Sequence, residues 1–320
     1  MFITFILYVE YSNIFSMRKP DIGLVLSGGG ARGAYQLGVM AALKKYKLYD
    51  RIQAIAGGSI GSFSAVMYLL DNLTECYKIW KDMDANMVLD YKNDLKDKIP
   101  VKEKGLFSRN ALMSYIYQQF DLENLLKIDK PVYACCSMVN KKGLKKTYTA
   151  KYLLLNYKPQ DYICKVLLGS SAIPYIFDAV EIDGDMFVDC LKTDNEPTKP
   201  LEQYDLDMMF VVPLTASHKP EKYNNYHIPV IDFIAEELMD APTINMIEFN
   251  PLRSDYYINL GYYVGCTLLK YLNEKKAFKG EKYWQDLPKY ISLKSIGIKL
   301  TPQKMLSFDE ILYDIKYGEK

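Results

Sequence analysis

Histidine is almost absent from this chain: two residues, His218 and His227, in 320. A zinc site built on imidazole is therefore not expected, and no metal or cofactor enters the reading. The six cysteines, Cys76, Cys135, Cys136, Cys164, Cys190 and Cys266, form no Cys-x-x-Cys pair. Thiols used this way act as small hydrophobes, which fits a reduced, intracellular setting, with cytoplasmic residence expected. An excess of one charge is also missing: 40 Lys and Arg balance 39 Asp and Glu, for a formal net charge of +1. The lysines are scattered, so neither nucleic acid nor a strongly anionic surface is an expected partner. No glycine run is followed by Gly-Lys-Ser/Thr, which excludes a phosphate P-loop. The most apolar stretch, Met1–Phe15, is broken by Glu10 and is too short to span a membrane. Residues 1–17 are expected to be an extension, loosely attached or preceding a true start at Met17, and residues 18–320 a single domain. There is no internal repeat and no low-complexity linker.

Hydrophobic residues make up 49% of the chain, enough for a sizeable core. Two glycine-rich stretches organise it: Gly28-Gly29-Gly30-Ala31-Arg32-Gly33 and Gly57-Gly58-Ser59-Ile60-Gly61. Each follows an apolar run that reads as a buried strand, Ile22–Leu26 and Ile52–Ala56. Each precedes a helix, Ala34–Tyr46 with apolar residues at helical spacing and Ile60–Leu70 apolar nearly all round. Strand–helix–strand–helix order with nearly continuous apolar strands predicts an α/β fold around a mostly parallel sheet.

Further along, residues 71–130 read as mostly helical and more polar, a candidate cap. Val132–Val139 and Lys146–Thr149 read as a hairpin about a turn at Asn140–Gly143, with the adjacent Cys135 and Cys136 pointing to opposite sheet faces. Tyr162–Leu168 reads as a helix. Phe177–Ile182 and Met186–Val188 flank a turn at Asp183-Gly184-Asp185, and Met208–Leu214 is a core strand. Ile228–Leu238 reads as a strand running into a helix, and Tyr256–Leu272 as a long helix containing Gly261 and Gly265.

Ser59 is the centre of a Gly-x-Ser-x-Gly pattern between a strand and a helix. Small neighbours permit a strained turn that exposes the hydroxyl, and the helix that follows favours negative charge beside it. The bland alternative is a tight glycine turn with a capping serine. The first glycine run also has two readings. Gly28-x-Gly30-x-x-Gly33 fits the dinucleotide fingerprint, which needs an acid at the end of the next strand roughly 20 residues on. Asp50 is at about that distance but at the wrong end of the strand, where Ala56 and Gly57 hold the required place. In the other reading the Gly28, Gly29 and Gly30 amides form an oxyanion hole and Arg32 adds positive charge. For a base, His218 or His227 could complete a Ser–Asp–His triad, although a solvated loop histidine is the simpler expectation for both. Asp189, at a strand end in Phe187-Val188-Asp189-Cys190, is the better candidate.

Taken in order, Ser27–Gly33, Gly57–Gly61, Ser170-Ser171-Ala172-Ile173-Pro174, then Asp189, Asn195 and Pro197, resemble the patatin-like phospholipases. These are lipid acyl hydrolases that use a Ser–Asp dyad and no histidine. The resemblance runs from about Ile22 to Leu201, leaving 202–320 as a C-terminal part of mixed, partly helical character. It implies a three-layer α/β/α sandwich. It further implies Ser59 as nucleophile, Asp189 as its base, the amides around Gly29 and Gly30 as oxyanion donors and Arg32 as support for that loop. The substrate implied is a phospholipid, lysophospholipid or other fatty-acyl ester, met by transient peripheral contact with a membrane. An aspartate is a weak base, with a reference pKa of roughly 3.9, so the dyad needs a sheltered site. One departure stands out: the family usually has Asp-Gly or Asp-Ala, often with a further Gly, where this chain has Asp189-Cys190-Leu191. If that backbone required positive φ, both side chains would be unfavourable. The alternatives are then a non-catalytic lipid-binding member of the fold, a reactive Cys190, or, further off, a dinucleotide-binding oxidoreductase.

Overall fold

The structure is a computed structural model that describes residues 18–83, 90–91, 107–108, 115, 118, 120–142, 145–240, 246–301 and 303–319. The N-terminal extension and half of the candidate cap lie outside the described residues. The apolar runs form the expected strands β1 (Ile22–Leu26), β2 (Ile52–Gly58), β5 (Val132–Lys142), β6 (Lys145–Leu154), β7 (Val180–Ile182), β8 (Asp185–Val188), β9 (Met208–Val212) and β10 (Val230–Asp232), and a short strand that the sequence did not announce, β11 (Tyr290–Ile291), joins them. A separate antiparallel pair joins β3 (Asp90–Tyr91) to β4 (Phe107–Ser108). The nine-stranded sheet has the order β11-β10-β9-β1-β2-β5-β8-β7, with β6 also on β5. Pairing is parallel from β11 across to β5, and antiparallel among β5, β6, β7 and β8.

Alternation along the central strands sorts their side chains onto two faces. Ile22, Leu24 and Leu26 of β1 and Met208, Phe210 and Val212 of β9 face the larger core. The main helices all contribute to it: α1 (Ala34–Lys45), α2 (Ile60–Leu69), α3 (Leu73–Asp82), α4 (Gln160–Ser170), α5 (Pro251–Glu274) and α6 (Phe308–Tyr317). The opposite face, with Val25, Ala54, Ala56, Met209 and Val211, packs under Leu201, Leu206 and Tyr223. Those residues come from the 3-10 turns Lys199–Leu201 and Pro220–Tyr223 and the loops beside them. The three layers are thus unequal, long helices on one side and short helical turns on the other.

Helix α1 is buried almost all round, because α5 crosses it backbone to backbone. A Cβ on Gly38 would stand 2.0 Å from the Ile258 carbonyl oxygen, and one on Gly261 would stand 2.0 Å from that of Tyr35. The glycine flagged within the long helix is therefore a crossing point. Asn250 caps α5 by accepting the Leu252 N–H, and Pro251 opens it with φ already suited to a helix.

Several boundaries differ from expectation: β7 begins at Val180 instead of Phe177, β6 runs on to Leu154 and β9 stops at Val212. Strand β2 continues through Gly57 and Gly58, which pair with Leu26 and Cys135. The ladder of β5 and β6 continues to Lys142 opposite Lys145, so Asn140–Lys142 belong to the strand; 143–144 lie outside the described residues. The β7–β8 turn uses Asp183 and Gly184, both at positive φ (52° and 86°), the twist a two-residue hairpin needs.

Candidate active site

Sheet register alone brings the two candidate catalytic residues together. Strand β6 occupies one edge of β5, and β2 and β8 share the other, running towards each other. Gly58, the last residue of β2, pairs with Cys135, while Val188, the last of β8, pairs with Ser137. Ser59 and Asp189 are the next residues of those two strands. They meet in the one-residue gap beside Cys136, and the Ser59 hydroxyl donates to Asp189 Oδ2 at 2.8 Å.

Ser59 stands between β2 and α2 with φ 51° and ψ −124°. A non-glycine residue at positive φ is strained, by about 1–3 kcal/mol, and keeps that conformation only where its surroundings dictate it. Here the Ser59 carbonyl accepts from Ser62 N–H (2.9 Å) and Ser62 Oγ (2.6 Å), and the Ser59 N–H donates to Ser170 Oγ (2.9 Å). The Ser170 hydroxyl in turn donates to the Cys135 carbonyl (2.6 Å), on the strand that carries the gap. Ser170 is the last residue of α4, and spacing arguments gave it no role; the Ser-Ser-Ala-Ile-Pro string was the one signal at that position.

Asp189 is buried, with 2% exposure. Its N–H donates to the Ala172 carbonyl (2.9 Å), its carbonyl accepts from Ser137 Oγ (2.8 Å), and its Oδ1 accepts the Leu191 N–H (2.8 Å). Backbone and carboxylate are both fixed, leaving Oδ2 on Ser59. Cys190 and Leu191 lie in a 3-10 turn, Cys190–Lys192, so side chains in place of glycine carry no positive-φ strain. Burial, with Asp189 beside it, pushes the Cys190 thiol well above its ordinary pKa, and the thiol contacts Asn195 Oδ1 at 3.6 Å. A protonated, enclosed thiol gives no support to Cys190 as a nucleophile.

The first glycine run lies beside this pair because β1 neighbours β2. Gly28 is held by Asn195 from two sides: its N–H donates to the Asn195 carbonyl (3.2 Å), and its carbonyl accepts from Asn195 Nδ2 (3.1 Å). A Cβ on Gly28 would stand 2.9 Å from that of Ser59. The Gly28 N–H thus already has an acceptor in the Asn195 carbonyl. Gly29 and Gly30 follow it, and Gly30 has φ +59° with its Cβ direction closed by the Met246 carbonyl at 1.9 Å. Arg32 links the same loop to two distant segments. It is buried, and Nη1 donates to the carbonyls of Leu214 and Leu238, both at 3.0 Å.

His218 departs furthest from expectation. It is no solvated loop residue: its imidazole is buried between Glu196 and Asp232, both ring nitrogens engaged, so neither is directed at Ser59. His227 is exposed. Asp50 sits in the 3-10 turn that enters β2, at the end away from the glycine turns, which leaves the dinucleotide fingerprint without its acid. No cluster of histidine, cysteine or carboxylate suited to a metal occurs among the described residues. Within the same residues, no helix is long and apolar enough to cross a membrane.

Lysophospholipase nte1 of Aspergillus niger (strain ATCC MYA-4892 / CBS 513.88 / FGSC A1513) is 50% identical over 51 residues, 16% of this chain and 3% of that protein. Lysophospholipase NTE1 of Debaryomyces hansenii is 46% identical over 62 residues, 19% of this chain and 4% of that protein. The chain thus spans only a few per cent of the length of these relatives. Among solved structures, VipD from Legionella pneumophila aligns over 80% of this chain and 68% of its own, with 15% identity and a TM-score of 0.39. The profile of the patatin-like phospholipases matches residues 24–201, more than half of the chain and the stretch that holds both glycine turns, Ser170 and Asp189. By that match the chain belongs to the patatin-like phospholipase family.

Proposed function

We propose that this protein hydrolyses fatty-acyl esters of lipids, of the phospholipid or lysophospholipid class, through a Ser59–Asp189 dyad. The observation that carries the reading is the 2.8 Å bond from Ser59 Oγ to Asp189 Oδ2, made by a serine on a strained strand-to-helix turn. Asp189 takes the hydroxyl proton as Ser59 Oγ bonds to the ester carbonyl carbon. The resulting oxyanion is received by the amides of Gly29 and Gly30, with the N-terminus of α2 adding positive potential. Collapse breaks the ester bond, and the departing alkoxide takes the proton from Asp189. A water molecule then gives a proton to Asp189 and its oxygen to the acyl carbon, and Ser59 recovers its proton as the fatty acid leaves. Membership of the family and short matches to named lysophospholipases support the lipid class.

Labelling with a fluorescent fluorophosphonate tests this, on wild type, Ser59→Ala and Asp189→Asn. Labelling of wild type alone is expected. Labelling that survives Asp189→Asn would transfer the base role to another group, and none on folded wild type would leave a lipid binder without turnover.

A further inference from the structure

The proposed reaction leaves one buried group of ionisable side chains unused. His218, with 1% of its side chain exposed, lies between two carboxylates: Nδ1 is 2.9 Å from Glu196 Oε1 and Nε2 is 2.6 Å from Asp232 Oδ2. A neutral imidazole has one N–H and would turn a lone pair on one of those oxygens, whereas an imidazolium satisfies both. The surroundings complete the cluster. Glu196 Oε2 accepts from Lys222 Nζ and from the Tyr223 hydroxyl, both at 2.8 Å, and Asp232 Oδ2 accepts from the Tyr290 hydroxyl. The Tyr223 ring lies 6.0 Å from the His218 ring.

This cluster is joined to the oxyanion loop by a short path. Asp232 ends β10 and so belongs to the sheet, and Glu196 directly follows Asn195, the residue that holds Gly28 through both its N–H and its carbonyl. Asn195 Nδ2 also approaches Thr215 Oγ1 (3.4 Å), and the Thr215 carbonyl accepts the His218 N–H (3.1 Å). Residue 218 is therefore linked to Asn195 twice, by its imidazole through Glu196 and by its backbone N–H through the Thr215 turn; only the first depends on the side chain.

We propose that His218 is a positioning residue of this hydrolase: as an imidazolium bridging Glu196 and Asp232, it fixes Asn195 and, through it, the Gly28–Gly30 loop, so that turnover falls when His218 loses its proton. The proposal rests on the Ser59–Asp189 reading above. Its pH range follows from the cluster. Burial works against the charge on His218, but hydrogen bonds and attraction from Asp232 and Glu196 outweigh it and raise the pKa from 6.5 to about 9. Burial likewise raises Tyr223, Tyr290 and Cys190, moving those groups away from that range. In the folded protein the bridge is lost as pH rises through about 9; the stability it contributes, since the folded value lies above the unfolded one, is full below about 6.5 and is lost by about 9. Beyond that, one N–H must serve two carboxylates.

With only two histidines in the chain, the test is direct. Imidazole NMR of the full-length protein, with His227→Gln to assign the signals, gives the titration of His218. The kcat and KM for p-nitrophenyl butyrate are measured from pH 6.5 to 10.5, with circular dichroism reporting the fold. The expected result is a His218 midpoint well above 6.5 and a fall in kcat of about tenfold at the same midpoint, part of what removing an oxyanion donor outright costs. KM should change little and the fold should persist. His218→Gln should have lowered kcat at pH 7.5 and no alkaline fall; if it does not fold, the coincidence of midpoints in wild type still decides. Ser59-dependent turnover that stays flat through the His218 titration overturns this proposal alone, as does a His218 midpoint near 6.5. Absence of Ser59-dependent turnover at every pH overturns the hydrolase reading with it.

Discussion

Ser170→Ala removes a single oxygen, yet it should reduce both stability and turnover. Ser170 is fully buried, so no water can replace its hydroxyl. Its Oγ accepts the Ser59 N–H and donates to the Cys135 carbonyl, and alanine leaves both groups without that partner. A buried polar group that loses its partner costs about 1–3 kcal/mol, and the two together put the loss near 2–4 kcal/mol. The effect on catalysis has a separate origin. Ser59 has φ 51°, a conformation held by contacts to its N–H, its carbonyl and its hydroxyl. With the N–H contact gone, the elbow can relax and shift Oγ away from the position Asp189 defines. A misplacement of 1 Å can cost about 100-fold in rate. The expectation is a kcat lower by roughly 30- to 100-fold, with KM within about threefold, since Ser170 is buried and its replacement leaves the protein surface unchanged. Urea denaturation gives the first quantity and steady-state kinetics on a soluble ester the second. Ser170→Thr, which keeps the hydroxyl, should recover most of the rate. A variant destabilised by about 2 kcal/mol whose kcat stays within twofold would refute the reasoning, because Ser170 would then support the fold without setting the nucleophile.

Other consequences are more briefly stated. A methyl on Gly58 would stand 2.7 Å from Cys190 Sγ, so Gly58→Ala should destabilise by about 1–3 kcal/mol in urea melts, and Cys190→Ala should restore part of that loss. Gly30→Ala meets both positive φ and the Met246 carbonyl, and fluorophosphonate labelling should slow by at least about 100-fold, the scale of a lost oxyanion donor. Burial pushes Glu196 upward, but the bonds from His218 and Lys222 outweigh it and hold it at about 2. Its contribution to stability is therefore present above the ordinary glutamate value and disappears as pH falls towards 2, and Glu196→Gln should flatten the acid side of a stability–pH curve. Leu191 and Tyr175, 47% and 71% exposed, lie on the loops after Asp189 and Ser170. Leu191→Asp should weaken co-sedimentation with phosphatidylcholine vesicles by about tenfold, the value of one leucine withdrawn from an apolar phase.

Much of this arrangement was legible in the residues because it is local. An apolar run ending in glycine, then a helix, describes β1 to α1 and β2 to α2, and the sequence needs no tertiary information to state it. Asp183-Gly184 likewise announces its turn. What could not be read depends on register. That β2 and β8 share one edge of β5 and stop one residue short of each other follows from pairings between residues about 50 to 80 positions apart, and no periodicity encodes them. Ser170 and Asn195 act through hydrogen bonds to backbone atoms of distant segments, so their residue types were visible and their partners were not. His218 shows the same limit in reverse. Its neighbours in sequence, Thr-Ala-Ser before and Lys-Pro after, look like a solvated loop. The carboxylates that bury it arrive from Glu196 and Asp232, on either side along the chain.

Under the proposed mechanism, the register also accounts for an aspartate acting without a histidine. In a triad, imidazole spans the distance between a serine and a carboxylate that are not in contact. In this sheet, two strands aimed at each other along a single edge place the carboxylate directly on the hydroxyl, and no gap remains for a ring. The requirement then moves from bridging to rigidity. An acid brought this close must be held where only one of its oxygens reaches the serine, and Asp189 is held by Ala172, Ser137 and Leu191 in just that way. Cys190 fits the same logic. Its Sγ lies close over Gly58 and against Asn195, filling space between the strand that ends at Ser59 and the segment that holds Gly28. On this reasoning the cysteine in place of glycine is a packing element between the nucleophile strand and the oxyanion loop, and replacing it with glycine should loosen the site rather than restore it.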